Sequence, residues 1–168
     1  MQKFLFLDFD GVLHPASGSS HLFQHNLLLH KILDAVPDVQ VVFSTSWREA
    51  LYSLEELTEL VTDGRPDLAP RFVGQTPSIR FDQRLLEIEQ WLSAHARPDA
   101  RWLALDDIRS LFRDGQSPNV LIVDGRSGLT TDLVEAVIRH FDFGRDLLHD
   151  EKALGSAHYS AAISPGRR

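Results

Sequence analysis

The stretch Phe4-Leu5-Phe6-Leu7-Asp8-Phe9-Asp10-Gly11-Val12 decides the fold of this 168-residue chain. Its first four residues are apolar and predict a buried strand, and two aspartates spaced one residue apart follow directly. Strand alternation places the carboxylates of Asp8 and Asp10 on one side, with Phe9 on the other. Two carboxylates so close raise each other's pKa, and a divalent cation removes that repulsion. The stretch therefore predicts a cation site at a strand end; the alternative is a solvated turn, which Asp and Gly also favour.

Further apolar runs predict buried strands that alternate with helices along the chain. Besides residues 4–7, the predicted strands cover residues 39–43, 102–105 and 120–123, with a short fifth strand at 72–74. Apolar residues at helical spacing predict helices over residues 27–36, 50–61, 83–95 and 131–141. This alternation is typical of an α/β fold, a three-layer α/β/α sandwich around a central, mainly parallel sheet. In such sheets ligands bind at the carboxyl ends of the strands.

Length and composition predict a single soluble domain. With 43% hydrophobic and 24% charged residues the chain is an ordinary globular protein, and we expect one domain over residues 1–154 and a weakly ordered tail over 155–168. No apolar run approaches the roughly 20 residues that span a bilayer, and the start does not resemble a signal peptide. The absence of cysteine excludes disulfides and thiolate sites. We therefore expect a cytoplasmic protein with no membrane contact.

The charge of the chain bears on its partners. The formal net charge is -7, and lysines and arginines form no extended run. Proteins that grip a nucleic-acid backbone usually present a basic patch, so stable nucleic-acid binding is not expected. Brief access to a phosphorylated nucleic-acid end stays open, and the sequence leaves the oligomeric state undetermined.

Two more polar segments follow predicted strands. The second strand ends in Ser44-Thr45-Ser46, and Ser46 and Glu49 have the spacing of a capping box. A helix N-terminus there would suit a phosphate group, and the Ser46 hydroxyl would add a donor. The third long strand ends in Asp106-Asp107, which either caps a helix or contributes to a cation site. Together with Asp8 and Asp10, these carboxylates favour a metal-assisted phosphoryl site.

Several further residues are open to two interpretations. Arg80 and Arg84 precede the third long strand, and each is either a solvated surface residue or the cation that holds a phosphate. His14 lies close to the aspartate pair and is interpreted as polar surface, with a position at the mouth of the site as the alternative. Trp47 is interpreted as a packing residue rather than a base-stacking platform. Asp124-Gly125-Arg126 lies at another strand end and is interpreted as a turn, with a place at the border of the cleft as the alternative.

The order of these motifs resembles that of the haloacid dehalogenase-like (HAD) phosphohydrolases. The segments Ser44-Thr45-Ser46-Trp47-Arg48-Glu49, Arg84-Leu85-Leu86-Glu87-Ile88-Glu89-Gln90-Trp91-Leu92 and Ser127-Gly128-Leu129-Thr130 look like the small HAD domains of Swiss army knife RNA-repair proteins. The resemblance extends over residues 4–141. It implies a Rossmannoid sandwich without a large cap domain and with an open site.

The resemblance also implies roles for the carboxylates. Asp8 matches the nucleophile that forms an aspartyl-phosphate, and Asp10 matches the general acid/base. Mg2+ is the implied cofactor. Its implied ligands are Asp8, Asp10 through its backbone carbonyl, and Asp106, with Asp107 as a second ligand or orienting residue.

The implied phosphate-binding residues are Thr45, Ser46 and Arg84. For the hydroxyl, Ser44 is the alternative to Thr45, because the alignment can shift by one residue. Arg84 stands where the family usually has lysine, and Arg80 is the alternative. Arginine can bind phosphate through two parallel hydrogen bonds, whereas lysine acts as a point charge.

Residues and resemblance together lead us to expect a Mg2+-dependent phosphomonoester hydrolase that acts through an aspartyl-phosphate. Its substrate would be a phosphorylated small molecule or a nucleic-acid phosphate end. Two alternatives stay open: a non-catalytic or regulatory HAD-like binding domain, and a phosphotransferase that uses the same aspartate chemistry. The presence of both Asp8 and Asp10 favours catalysis, because phosphate binding alone does not need an acid/base aspartate.

Overall fold

The computed structural model describes residues 1–18, 21–50, 52–79, 83–112 and 117–143. The predicted tail over 155–168 and the domain boundary at 154 lie outside these residues, and so does Arg80. These three expectations stay predictions.

A five-stranded, all-parallel sheet forms the centre of the molecule. The strands are β1 (Lys3–Leu7), β2 (Val39–Phe43), β3 (Phe72–Gln75), β4 (Arg101–Asp106) and β5 (Val120–Ile122). Their order across the sheet is β3-β2-β1-β4-β5. The first strand of the chain is thus the central one, and its carboxyl end is flanked by the ends of β2 and β4. The predicted strands and the α/β fold class are confirmed.

Within the described residues, four α-helices connect and flank the strands. They are α1 (Asn26–Ala35), α2 (Leu54–Val61), α3 (Arg84–His95) and α4 (Thr131–Phe143). The predicted start of the second helix at residue 50 is wrong, because a four-residue 3-10 helix, Ser46–Glu49, follows β2 instead. The capping box lies at Ser53 and Glu56, where each side chain accepts from the other's backbone N–H, at 3.1 Å and 2.7 Å.

Alternation along β1 divides the core into two layers. Leu5 and Leu7 belong to a large cluster with residues of α1, α2 and α4. Phe4 and Phe6 point to the other face and pack edge-on against Trp91 of α3, with ring centroids 5.1 Å and 5.6 Å apart. These fully buried side chains fix β1 between two helical layers, which is the three-layer sandwich.

The segments between the strands add no second domain in the part of the chain that the structure describes. Between β1 and β2 it contains loops and the single helix α1. No helix of the described residues combines the length and the apolar character that crossing a membrane requires.

The strand register brings the three polar segments together. Leu7 pairs with Phe43 of β2 and with Leu105 of β4. One residue further, the Asp8 N–H donates to the Leu105 carbonyl (3.1 Å) and the Ser44 N–H to the Leu7 carbonyl (2.8 Å). Asp8 therefore lies between the segment after β2 and the aspartates that end β4.

Candidate active site

Three carboxylates meet at the carboxyl edge of the sheet. One oxygen each of Asp8, Asp106 and Asp107 lies within 4.8 Å of the others. Asp8 and Asp106 are almost inaccessible to solvent, with 4% and 1% of their surface exposed, and Asp107 is partly buried. Asp8 accepts a hydrogen bond from the Phe9 N–H (2.8 Å), and Asp106 accepts one from the Ile108 N–H (2.8 Å). The strand ends thus bury a compact acidic cluster.

This acidic cluster is electrostatically strained as it stands. Burial raises the pKa of Asp8 more than the Arg84 guanidinium and the Phe9 N–H lower it. Burial and the charge of Asp8 together raise the pKa of Asp106 to about 7. Burial also raises the pKa of Asp107. A divalent cation would relieve this strain, and three carboxylates are the hard oxygen ligands that Mg2+ prefers, so the residues fit that ion.

Two glycines make room for Asp107. A Cβ atom at Gly11 would lie 2.2 Å from Asp107 Oδ2, and one at Gly125 would lie 2.3 Å from the same oxygen. Gly11 also has a positive φ of 71°, which side-chain-bearing residues rarely adopt. The segment after β5 forms the predicted turn, in which Asp124 accepts from the Arg126 N–H (3.0 Å). That turn also borders the site, since Gly125 lies against Asp107, so both interpretations of this segment hold.

Arg84 lies inside the site. As the first residue of α3 it directs Nη1 to 3.4 Å from Asp8 Oδ2 and 3.2 Å from Asp106 Oδ2. Its side chain is only 10% exposed, so the interpretation as a solvated surface residue is wrong. Burial alone lowers the pKa of Arg84, but the charges of Asp8 and Asp106 outweigh it and the pKa is raised. The guanidinium stays charged beside the acidic cluster.

The hydroxyls after β2 take different positions. Thr45 is fully buried, and its hydrogen bond to Asp8 lowers the pKa of that carboxyl. Ser44 is also buried, and its hydroxyl has no hydrogen-bond partner among the described residues. Ser46 is exposed at the start of the 3-10 helix. The structure thus brings Thr45 to Asp8 and leaves the Ser46 hydroxyl facing solvent.

The sequence did not reveal a second layer of contacts behind Thr45. Arg48 donates from Nη1 to the Thr45 carbonyl and from Nη2 to Glu87 Oε2, the latter at 2.6 Å. Glu87 is buried, and its other oxygen accepts from the Ile79 N–H at 3.0 Å. Arg48 therefore ties the segment after β2 to α3, the helix that carries Arg84.

The carboxylate of Asp10 is not one of the three in the acidic cluster, although burial and, to a smaller extent, the charge of Asp10 raise the pKa of Asp107. The Asp10 side chain is 45% exposed, and its two oxygens face His14 Nε2 (3.0 Å) and Trp47 Nε1 (2.9 Å). The interpretation of His14 as polar surface is wrong, since only 2% of the residue is exposed. Trp47 packs against Phe9 and Phe23 as expected, but it also binds Asp10. Position 14, one turn after Asp10, was the only sequence signal for these contacts.

The raised pKa values predict that, without a divalent cation, stability falls as pH rises. Asp106 has an ordinary pKa of 3.8 when unfolded and one of about 7 in the folded protein. Between these values the folded state binds more protons than the unfolded state, so the free energy of unfolding decreases with rising pH. In a chelating buffer we expect Tm to fall by on the order of 5 °C between about pH 5 and about pH 8, measured by differential scanning calorimetry.

Two variants control this measurement. Asp106→Asn removes the ionising group and should flatten the decline. Asp124→Asn changes an exposed carboxylate at the same edge of the sheet and should leave the decline in place. If the Tm of the chelated wild-type protein rose over this pH range, the claim that the buried carboxylates destabilise the metal-free protein would be wrong.

Comparison with known proteins identifies the family of the chain. No curated protein and no solved structure matches the chain. A family model described as the HAD domain in Swiss Army Knife RNA repair proteins matches residues 4–134, well over half of the sequence. The match covers the sheet except for Lys3, the first residue of β1, and it includes the residues of the acidic cluster. The chain therefore belongs to this HAD domain family, and through it to the HAD-like phosphohydrolase superfamily.

Proposed function

We propose that this protein is a Mg2+-dependent phosphomonoester hydrolase with Asp8 as its nucleophile. The observation that carries the proposal is the set of groups around Asp8: the carboxylates of Asp106 and Asp107, the Arg84 guanidinium and the Thr45 hydroxyl. A nucleophilic carboxylate needs a cation and hydrogen-bond donors to hold the phosphate that it attacks. Both kinds of group surround Asp8.

Unpaired donors around Asp8 support phosphate binding. Among the buried side-chain atoms that have no hydrogen-bond partner in the described residues, three belong to residues of this site: Arg84 Nη1, Arg48 Nε and Ser44 Oγ. Arg84 Nη1 is within 3.4 Å of Asp8, and Ser44 lies beside Asp8 in the sheet register. Buried donors without partners are costly, and phosphate oxygens would satisfy them. This favours Ser44 as a contributor alongside Thr45 and Arg84.

The proposed reaction has two steps. Asp8 attacks phosphorus while Asp10 gives its proton to the leaving oxygen, so the ester bond breaks and an aspartyl-phosphate forms. Asp10 then takes a proton from water, which attacks phosphorus, releases inorganic phosphate and frees Asp8. A Mg2+ ion held by Asp8, Asp106, Asp107 and the Asp10 carbonyl would offset the negative charge of the phosphate and the carboxylates.

The substrate class follows from access to the site. The described residues add no cap domain above Asp8, and the Asp10 carboxylate is partly open to solvent. A bulky phosphorylated group can therefore approach, and either a small phosphomonoester or the phosphorylated end of a nucleic acid is the proposed substrate. The family's occurrence in RNA repair proteins supports the second. The net charge of -7 opposes long contacts along a nucleic-acid backbone. We also propose a cytoplasmic location.

A phosphatase screen tests the proposed function. Release of inorganic phosphate is measured with Mg2+ on an aryl phosphate, on mononucleotides, and on oligonucleotides phosphorylated at the 3′ or the 5′ end. We expect turnover by the wild-type protein and none by Asp8→Asn. Phosphate release that appears only when an alcohol acceptor is supplied would indicate a phosphotransferase. Phosphate binding without turnover on any substrate would indicate a binding domain.

Removing the guanidinium of Arg84, the buried positive charge of the site, should lower activity more than removing any other arginine nearby. We expect Arg84→Ala to lower kcat/KM by about 10²-fold. The variant loses a charged hydrogen-bond donor to the phosphate, and that hydrogen bond is stronger in the transition state than in the ground state. Arg126→Ala changes an arginine whose side chain is 90% exposed, and it should leave the rate unchanged. Arg80→Ala should also have a mild effect. Equal losses for Arg80→Ala and Arg84→Ala would show that the assignment of Arg84 is wrong.

A further inference from the structure

We propose that His14 and Trp47 are positioning residues that hold the Asp10 carboxylate ready to protonate the leaving group. We call this pair of side chains the Asp10 clamp. The inference rests on the proposed function, since it assigns partners to the acid of that reaction. It starts from the separation of the two aspartates: the Asp8 carboxylate belongs to the acidic cluster, whereas the Asp10 carboxylate is bound by an aromatic pair outside it.

The hydrogen-bond roles of the two ring nitrogens of His14 follow from its two contacts. The Phe23 N–H points at His14 Nδ1 from 3.4 Å, and a backbone N–H can only donate. Nδ1 is therefore the acceptor in this contact, and Nε2 is the nitrogen that carries a proton. His14 Nε2 consequently donates to Asp10 Oδ1 at 3.0 Å. Phe23 makes this contact from a left-handed backbone conformation, with φ at 57°, which is unusual for an aromatic residue.

Trp47 holds the other oxygen of Asp10. An indole N–H has no acceptor function, so the 2.9 Å contact from Nε1 to Oδ2 has one possible direction. With one donor on each oxygen, rotation of the carboxylate would break a hydrogen bond. The exposed part of Asp10 keeps lone pairs free for the transferred proton, so the clamp orients the group without blocking it.

Packing makes the clamp rigid. The His14 ring lies edge-on to Phe23 and Trp47, with centroids 5.3 Å and 6.1 Å away, and Trp47 stacks on Tyr52 at 5.8 Å. Phe9, the residue between the two aspartates, also packs edge-on against Trp47 at 5.8 Å. The side chain that separates Asp8 from Asp10 in sequence therefore holds the clamp in place. Since these partners belong to the same chain, the Asp10 carboxyl is oriented before substrate binds. Its orientation therefore requires no closing motion of the protein.

The test compares substrates whose leaving groups differ in their need for a proton. Trp47→Phe removes the indole N–H and keeps an aromatic ring, and His14→Phe does the same for the imidazole. An alkyl phosphate needs acid catalysis, whereas 4-nitrophenyl phosphate releases a stable phenolate without it. We expect each variant to lower kcat by roughly 30-fold on the alkyl phosphate and by less than about 3-fold on the aryl phosphate.

Controls separate positioning from a general loss of structure. Trp102→Phe makes the same exchange in the other core layer, against Phe6, and should leave both rates near wild type. In an Asp10→Asn background, Trp47→Phe should have no further effect on the alkyl phosphate, because the group it orients is already lost. Equal losses on both substrates, or full additivity with Asp10→Asn, would overturn the positioning role and leave the proposed hydrolase intact.

A spectroscopic measurement tests the clamp without turnover. In a ¹H–¹⁵N spectrum, Asp10→Ala should shift the indole resonance of Trp47 and leave those of Trp91 and Trp102 in place. An unmoved Trp47 resonance would overturn the hydrogen bond whatever the activity. If Asp10→Ala shifts the Trp47 resonance but the wild-type protein hydrolyses neither phosphate, the hydrogen bond exists and the proposed function is overturned. The catalytic purpose of the clamp then falls with it.

Discussion

Replacing Asp8 by asparagine is expected to lower turnover on every phosphomonoester by at least about 10⁴-fold, because an amide of nearly the same shape is a very poor nucleophile. The loss should fall on kcat, since the donors that hold the phosphate stay in place. Single-turnover experiments with a ³²P-labelled substrate should show labelled wild-type protein and unlabelled variant. By contrast, Asp10→Asn should lower turnover by about 10²-fold and still permit slow labelling with a good leaving group.

The stability of the same variant makes the prediction sharper. Burial and neighbouring carboxylates make an ionised Asp8 unfavourable in the folded protein without a cation. A neutral side chain removes one charge from the cluster, so chelated Asp8→Asn should melt no lower than chelated wild type at neutral pH. Loss of activity together with loss of Tm would point to misfolding. Wild-type rates in a well-folded Asp8→Asn protein would exclude covalent catalysis at this residue.

The fold could be predicted because its signals are local. The apolar run before Asp8 and the two later strands that end in polar residues fix three neighbouring strands, and parallel pairing then brings their carboxyl ends together. The meeting of Asp8 with Asp106 follows from that topology alone. Arg84 could be predicted as a candidate because it begins the helix that precedes β4, and helix starts lie at the same edge as strand ends.

The remaining site residues depend on contacts that sequence spacing does not encode. Trp47 reaches Asp10 because β2 is followed by a 3-10 helix, whereas capping-box spacing suggested an α-helix there. Arg48 binds both Thr45 and Glu87, and Glu87 lies 39 residues further along the chain than Arg48. Nothing in the local pattern distinguishes Arg48 from a surface arginine. The 3-10 helix and the side-chain network depend on tertiary packing, so the local patterns that predict strands and helices do not indicate them.

Loss of the divalent cation is expected to have the second largest effect. With a chelator, or in Asp106→Asn, turnover should fall at least about 10³-fold, because the buried carboxylates then repel the phosphate that Asp8 must attack. Asp107→Asn should cost less, about 10-fold, since Asp107 is partly exposed and the expected second ligand. Asp124→Asn, the exposed carboxylate at the end of the neighbouring strand, should keep the wild-type rate.

Thermal shift with added Mg2+ tests the same site independently of any substrate. Binding to the folded state alone should raise the Tm of the wild-type protein by several degrees at saturating Mg2+ and by much less in Asp106→Asn. The increase should be larger at about pH 8 than at about pH 6, because burial raises the pKa of Asp106 to about 7 and a protonated carboxyl is a poor ligand. Activity that survives thorough chelation would contradict the metal-dependent mechanism. A Tm increase that is the same in wild type and Asp106→Asn would place Mg2+ elsewhere than among Asp8, Asp106 and Asp107.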